Sequence, residues 1–290
     1  MISVLRLPVR LYRFVTLPIL DILGNHKNLP MKILSALFCL LLTLQVSAQQ
    51  KKYNYMYQYG IADAFLAGLY HGTLPVKEML PHGDFGLGAP DVLDGELIIY
   101  NGKAYQTRAT GETTLMADTA KIPLVLSTNF KADTAFYINS PADKKTVLGQ
   151  IDYYLKKANG LYAIRVSGEF ALVKTRAFPR ADKEPFLPLA SILDRQHFFS
   201  MPNISGTLIG FKLPQYLSSV TIANYHFHFL SADMTKGGHM TDMAVNKVKV
   251  EIAVLQGIDI QIPQDSDFMN FDFKTVKKGD ALKAETPIKQ

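Results

Sequence analysis

The sequence of 290 residues contains a single cysteine, Cys39. One cysteine can form neither an internal disulfide nor a thiolate metal site, so both kinds of scaffold are excluded. Because Cys39 lies within the first 48 residues, the chain after them has no cysteine at all. Such a composition suits an oxidising compartment.

Positive charge is also scarce outside the amino-terminal segment. The whole chain carries a net charge of +6, of which residues 1–48 supply +4. The remaining 26 basic and 24 acidic residues leave only +2, without a Lys/Arg cluster interleaved with aromatics. A nucleic-acid partner is therefore not expected.

The amino-terminal segment has no apolar run long enough for a comfortable membrane span. A largely apolar stretch of 14 residues, 33–46, follows Met31-Lys32 and ends at Ser47-Ala48, whereas a span needs about 20 residues. This pattern predicts a secretory signal peptide cleaved near Ala48, with export to the periplasm or the exterior and no stable membrane anchor. Translation is expected to begin at Met31; a long amino-terminal region or a membrane anchor is the alternative.

The mature chain, in contrast, has enough apolar residues for a folded core. Hydrophobic residues make up 48% and charged residues 19% of the sequence. Helical spacing predicts a short helix from Ile61 that ends before Gly72, a helical turn over Val76–Leu80 and a helix over 144–157. Between the first two helices and the first strands, residues 82–88 are rich in glycine and predict a loop.

Strand patterns dominate the rest. Asn101-Gly102 predicts a hairpin between Glu96–Tyr100 and Lys103–Thr107. Further strands are expected over 123–128, over 160–166 and 170–178 with a turn at Ser167-Gly168-Glu169, and over 206–213, 220–230, 239–245 and 247–256. The fold class is therefore α+β, with mixed and antiparallel sheets. We expect a leader over 1–48, domains over 49–185 and 186–272, and a tail over 273–290.

Three of the seven histidines fall within fourteen residues: His226, His228 and His239. On a strand, His226 and His228 point to one face while the phenylalanines beside them point to the other. A turn at Thr235–Gly238 places His239 across from this pair. Three imidazoles with a fourth position open are typical of a catalytic zinc site.

These patterns have other interpretations. A lone strand histidine is usually a satisfied core residue, and cupins also carry His-x-His but need a glutamate soon after it, where this chain has Ser231, Ala232 and Asp233. A cupin-like metal-dependent oxygenase and an exported non-catalytic binding module remain the alternatives. From the residues alone, Glu96 and Arg176 are ordinary charged residues at strand ends.

Four separated motifs resemble the α-acetolactate decarboxylase family. They are Tyr57–Ala64, His82–Gly88 with Leu93-Asp94-Gly95-Glu96, Val173–Arg176, and Tyr225–Leu230 with Gly237-Gly238-His239. They occur in the family's order from about residue 53 to residue 272. The chain departs from the family pattern at Ala89-Pro90-Asp91 and in its extended tail.

The resemblance implies a two-domain zinc enzyme, commonly a homodimer, that converts (S)-2-acetolactate to (R)-acetoin and carbon dioxide. It implies zinc ligands at His226, His228 and His239, and active-site residues at Glu96 and Arg176. A further family glutamate from the tail falls on Glu285. In this mechanism zinc chelates the substrate hydroxyl and carbonyl and stabilises an enediolate. Arg176 orients the substrate carboxylate or stabilises the developing anion, and Glu96 and Glu285 share proton delivery, with the separate role of each left open.

Overall fold

β-Strands are the main regular structure of the chain that the structure describes. This computed structural model describes residues 53–155 and 157–276. The strands are β1 (Met56–Tyr59), β2 (Leu74–Pro75), β3 (Phe85–Ala89), β4 (Glu96–Tyr100), β5 (Lys103–Thr107), β6 (Thr113–Leu115), β7 (Lys121–Ile122), β8 (Leu124–Thr128), β9 (Thr134–Ile138), β10 (Ala142–Asp143), β11 (Leu161–Ala177), β12 (His197–Leu213), β13 (Asn224–Ser231), β14 (Gly237–Leu255) and β15 (Ile258–Gln261).

The helices in this part of the chain are short. The α-helices are α1 (Ala62–Leu66), α2 (Val76–Met79), α3 (Lys144–Tyr154) and α4 (Ser266–Met269). Single 3₁₀ turns cover Leu80–His82, Asp91–Leu93, Leu189–Ser191, Leu193–Arg195, Gln215–Leu217 and Phe273–Thr275. Within the described ranges, no helix is both long and apolar enough to cross a membrane.

Two large sheets organise these elements. The first has the order β15-β1-β8-β3-β4-β5-β6 and is antiparallel apart from the parallel pair β1–β15. The second has the order β10-β14-β11-β12-β13, with β9 paired to β14. Because β13 also pairs with β14, strands β11 to β14 close on themselves. The predicted α+β class with mixed and antiparallel sheets is confirmed.

The two sheets pack against each other through their apolar faces. Leu87, Ile98 and Leu126 of the first sheet join Phe211 and Leu230 of the second in one buried cluster. Side chains alternate along a strand, so the residues flanking Ile98 on β4 point to the opposite face, where they pack in another cluster. Glu96 has the same parity as Ile98 and is therefore directed toward the second sheet.

The predicted glycine-rich loop is wrong, because Gly86 and Gly88 lie within strand β3. A Cβ atom on Gly86 would lie 2.2 Å from the carbonyl oxygen of Leu126 on the neighbouring strand, and one on Gly88 would lie 2.2 Å from that of Leu124. Close approach of two backbones, rather than a turn, therefore requires glycine here.

Replacing Gly86 by alanine is expected to lower the free energy of unfolding by about 3 kcal/mol, because the new methyl group must displace backbone. Gly149 is the matched control: it lies exposed in α3, and a Cβ there meets nothing within 4 Å. Gly149→Ala should raise stability by about 0.5–1 kcal/mol. Urea denaturation of both variants measures the difference; equal stabilities would contradict the close approach at Gly86.

The predicted turn at Ser167-Gly168-Glu169 is also wrong, since β11 runs unbroken through these residues. Gly168 adopts a φ of +146° and lies between Gly206 and Val248 of the adjacent strands. The pairing with β14 shifts register after Glu169. A bulge of this kind bends a strand without reversing it, so one long strand forms where two were expected.

The second sheet includes strands from both sides of residue 185. Strand β11 precedes that position and pairs along its length with β12, which follows it. The boundary between the predicted domains stays a prediction. The second sheet contains strands from both of them. The predicted leader over 1–48 and most of the tail lie outside the described residues.

Candidate metal centre

Strand β13 presents two histidines on one face. Phe227 and Phe229 are buried in the core of the second sheet. The alternation of side chains along the strand directs His226 and His228 to the opposite face, where both are also buried. The arrangement matches the one expected from the His-x-His spacing.

The pairing of β13 with β14 brings the third histidine opposite this pair. His228 and His239 are direct partners in the register of the two strands. The three imidazole rings have centroids 5.0, 5.0 and 5.4 Å apart. One potential ligand atom from each histidine lies within 4.8 Å of the others. The structure thus assembles the three residues that were predicted as metal ligands.

Hydrogen bonding fixes the orientation of His228. Its Nδ1–H donates to the backbone carbonyl of Leu97, 2.8 Å away, on strand β4 of the first sheet. In the neutral ring, Nε2 then carries the lone pair, and it lies 3.2 Å from Nε2 of His226. A metal-binding histidine is usually oriented in this way, by a hydrogen bond from the ring nitrogen that does not bind the metal.

Burial keeps the three imidazoles neutral. Burial, together with the nearby positive charge of Arg176, lowers the pKa of His226 to about 3. Burial also holds the pKa values of His228 and His239 well below the ordinary value for histidine. Neutral imidazole is the form that binds a metal ion, so all three side chains are available as ligands near pH 7.

The donor set fits a divalent metal ion. Zinc binds imidazole nitrogens at about 2.0–2.1 Å, so two ligands at a tetrahedral angle are separated by roughly 3.4 Å. The separation of 3.2 Å between the Nε2 atoms of His226 and His228 agrees with this value. The three histidines can therefore hold a metal ion.

Arg176 and Glu96 lie at the edge of the histidine cluster. Arg176 is the register partner of His239 on the neighbouring strand. Its Nη1 lies 3.3 Å from Oε1 of Glu96, whose Oε2 lies 3.4 Å from Nε2 of His228. The exposed fractions of Arg176 and Glu96 are 5% and 7%. The glutamate carboxylate thus bridges the arginine and the histidines.

An apolar wall encloses this cluster of polar groups. The three histidines, Glu96 and Arg176 line one cavity. Residues of both sheets, of α1 and of nearby loops form the rest of its wall. The apolar side chains of its wall are Phe65, Leu66, Leu87, Ala89, Leu93, Leu124, Leu126, Phe178, Leu189 and Ile222. The polar groups of the site thus lie in a cavity whose wall is mostly apolar.

Sequence patterns did not indicate two parts of this site. The Leu97 carbonyl that orients His228 is a backbone atom, so no residue type marks it. The wall residues are ordinary apolar residues from distant segments. Glu285, the predicted contribution of the tail, lies outside the described residues, and its assignment stays a prediction.

A buried three-histidine site with an arginine–glutamate pair in an enclosed cavity is typical of metal-dependent enzymes. The sequence profile of the α-acetolactate decarboxylase family matches residues 56–275. The chain belongs to this family of carboxy-lyases, which confirms the predicted resemblance.

Individual relatives support the same assignment. The α-acetolactate decarboxylase of Methanosarcina mazei is 34% identical over 230 residues, which cover 79% of this chain and 80% of the relative. The enzyme of that name from Brevibacillus brevis is 30% identical over 244 residues, or 84% and 85% of the two chains. The crystal structure of the Bacillus subtilis strain 168 decarboxylase superposes with a TM-score of 0.77 at 28% identity, covering 80% of this chain and all 100% of the other.

Proposed function

We propose that the protein converts (S)-2-acetolactate to (R)-acetoin and carbon dioxide with a zinc ion bound by His226, His228 and His239. The observation that carries this proposal is the buried histidine cluster joined to Arg176 and Glu96. These five residues are the positions on which the family's motifs fall. Relatives named α-acetolactate decarboxylase match across most of the chain.

The neutral imidazoles support zinc as the resident metal, since three histidine ligands with an open position are common in catalytic zinc sites. When bound, such an ion supplies Lewis acidity toward the adjacent hydroxyl and carbonyl oxygens of the substrate. The mostly apolar wall and the burial of the charged groups lower the local polarity, which strengthens the electrostatic interactions between them.

Arg176 is suited to the substrate carboxylate. Its guanidinium is a planar, permanently charged donor that can bind a carboxylate through two hydrogen bonds. The guanidinium carbon lies 5.3 Å from the centre of the Phe178 ring, and the contact with Glu96 holds it from another direction. Arg176 would therefore orient the carbon–carbon bond that breaks when carbon dioxide leaves.

Glu96 is suited to proton delivery. Loss of carbon dioxide leaves an electron pair on the carbon that carries the hydroxyl group, and this carbon must gain a proton to give acetoin. A carboxylic acid fixed on one side of the substrate can supply that proton to one face only. The contact of Glu96 with His228 places its carboxyl beside the metal ligands, so we assign it this role together with the tail residue Glu285.

Acetoin formation from racemic acetolactate tests the proposed function. Protein expressed from Gln49 onward and loaded with zinc should consume one enantiomer rapidly and release acetoin and carbon dioxide in equal amounts. Dialysis against a chelator should abolish turnover, and added zinc should restore it. The readouts are chiral gas chromatography of acetoin and metal analysis of the same samples.

Three results would contradict the proposal in different ways. A folded, zinc-loaded protein that forms no acetoin would favour an exported binding module. Full activity after complete metal removal would exclude the zinc role while leaving the reaction itself supported. Oxygen consumption by the loaded protein would instead favour a cupin-like oxygenase.

Export and assembly are part of the same proposal. The signal-peptide pattern ending at Ala48 supports secretion to the periplasm or the exterior, and the family resemblance supports a homodimer. Fractionation of cells producing the full chain and light scattering of the purified protein test these two points.

A further inference from the structure

The segment that leads into Glu96 has an unusual backbone. Val92, Leu93 and Gly95 have φ values of +51°, +57° and +93°. A β-branched or bulky residue in the left-handed region is a genuine outlier, and such conformations persist only where the surroundings enforce them. Leu93 also lines the cavity with the histidines. The strained residues therefore lie just before the glutamate of the site, and one of them, Leu93, is itself a wall residue.

Hydrogen bonds anchor the beginning of this segment. The backbone N–H of Gly72 donates to the Asp91 carboxylate over 2.7 Å. Val92 donates its N–H to the carbonyl of Tyr70 and accepts from the N–H of Ala181, both at 2.8 Å. These contacts fix the segment against two other parts of the chain, one before and one after it.

Side chains of the next strand hold its end. Nε2 of Gln106 donates to the carbonyl oxygen of Asp94 at 2.5 Å and to its carboxylate at 2.8 Å. Arg108 donates to the same carboxylate at 3.4 Å and to Oε1 of Gln106 at 3.1 Å. Gln106 is only 7% exposed, so water cannot readily replace these bonds.

Close packing at Gly95 restricts movement of the backbone between this hydrogen-bond network and the site. A Cβ atom on Gly95 would lie 2.0 Å from the carbonyl oxygen of Thr107, so the two strands are in close backbone contact there. Glu96 follows at once and pairs with Thr107 in the sheet. Any shift of Asp94 is therefore transmitted to the carboxyl group that faces Arg176 and His228.

We infer that Gln106, acting through Asp94, is a positioning residue that sets the place of the Glu96 carboxyl group. The inference rests on the proposed function, because the position of Glu96 matters through the reaction it serves. Gln106 itself does not line the cavity. Its effect should fall on proton delivery rather than on metal binding.

The test replaces Gln106 by methionine, which keeps the length of the side chain and removes its donors. We expect kcat to fall about 100-fold, the scale of a misplacement near 1 Å, with a smaller change in KM. Zinc content should stay at the wild-type value. The acetoin formed should lose enantiomeric purity, because a displaced carboxyl group no longer supplies its proton to one face alone.

Gln58→Met is the matched control. Gln58 is also buried in the first sheet, and its Nε2 donates to two carbonyl groups, those of Gly60 and Val220, at 2.8 and 2.6 Å. The same substitution there also removes two donated hydrogen bonds, at a position away from Asp94; the bond that Gln106 accepts from Arg108 has no counterpart at Gln58. Gln58→Met should lower stability comparably and leave both kcat and the enantiomeric purity near wild type.

A double variant tests the contact directly. Asp94→Asn combined with Gln106→Glu reverses donor and acceptor in the side-chain contact and keeps a negative charge beside Arg108, while the backbone carbonyl of Asp94 loses its donor in the double variant as it does in Gln106→Glu alone. Its kcat should exceed that of either single variant by about tenfold, as expected for coupled neighbours.

Unchanged kcat and product stereochemistry in Gln106→Met, with an active wild type, would overturn the inference. Equal loss in Gln58→Met would overturn it as well, since the effect would then be general destabilisation. A wild-type protein that forms no acetoin would instead contradict the proposed function itself.

Discussion

His228→Ala is expected to yield a folded protein that retains almost no zinc and forms acetoin more than about 100-fold more slowly than the wild type. The substitution removes a metal ligand outright, and loss of a mere orienting partner already costs about 10- to 100-fold in affinity or activity. It also leaves the Leu97 carbonyl without the Nδ1–H donor of the histidine. Metal analysis and a turnover assay measure both effects.

His71→Ala is the control for this experiment. His71 is half-exposed, and its Nε2 lies 2.8 Å from the exposed carboxylate of Glu184. Such a surface ion pair contributes little to stability. It lies outside the cavity of the metal centre. The control should keep full zinc and full turnover; a His228→Ala protein that did the same would refute the ligand assignment.

Arg176→Lys is expected to lower kcat/KM about 100- to 1,000-fold while zinc content stays unchanged, the range seen when one preorganised donor is removed. Lysine preserves the charge but not the planar pair of donors that matches a carboxylate. It also cannot keep the geometry by which Arg176 contacts Glu96 and lies over the ring of Phe178. Steady-state kinetics with metal analysis separates the two effects.

The same strand supplies a closely matched control in Arg165. Its Nε lies 2.8 Å from Glu251, and its guanidinium carbon lies 4.8 Å from the centre of the Phe130 ring. Arg165→Lys therefore removes the same kinds of contact outside the cavity. It should leave turnover near wild type. Turnover equal to wild type in Arg176→Lys would remove the arginine from the proposed reaction.

Local sequence patterns predicted the cluster of three histidines because its members are close in the sequence. His226 and His228 share a face through the period of the strand, and His239 returns one hairpin later, so spacing alone places all three together. The hairpin at Asn101-Gly102 is confirmed for the same reason. In both cases, the structure depends on a few consecutive residues.

Spacing could not predict contacts between distant segments. Glu96 and Arg176 are separated by 80 positions and meet through the packing of the two sheets; only the family resemblance pointed to them. The glycines of β3 look like a loop because glycine favours turns as well as close backbone contacts, and sequence does not distinguish the two. Gly168 was misread in the same way.

The hydrogen bond from His228 to the carbonyl of Leu97 joins the ligands of one sheet to a strand of the other. A small displacement of the first sheet would therefore rotate a ligand of the second. In a cobalt-substituted protein, the visible absorption spectrum would then report how the sheets are packed, even for substitutions far from the cavity. The metal centre would serve as a built-in probe of the interface between the sheets.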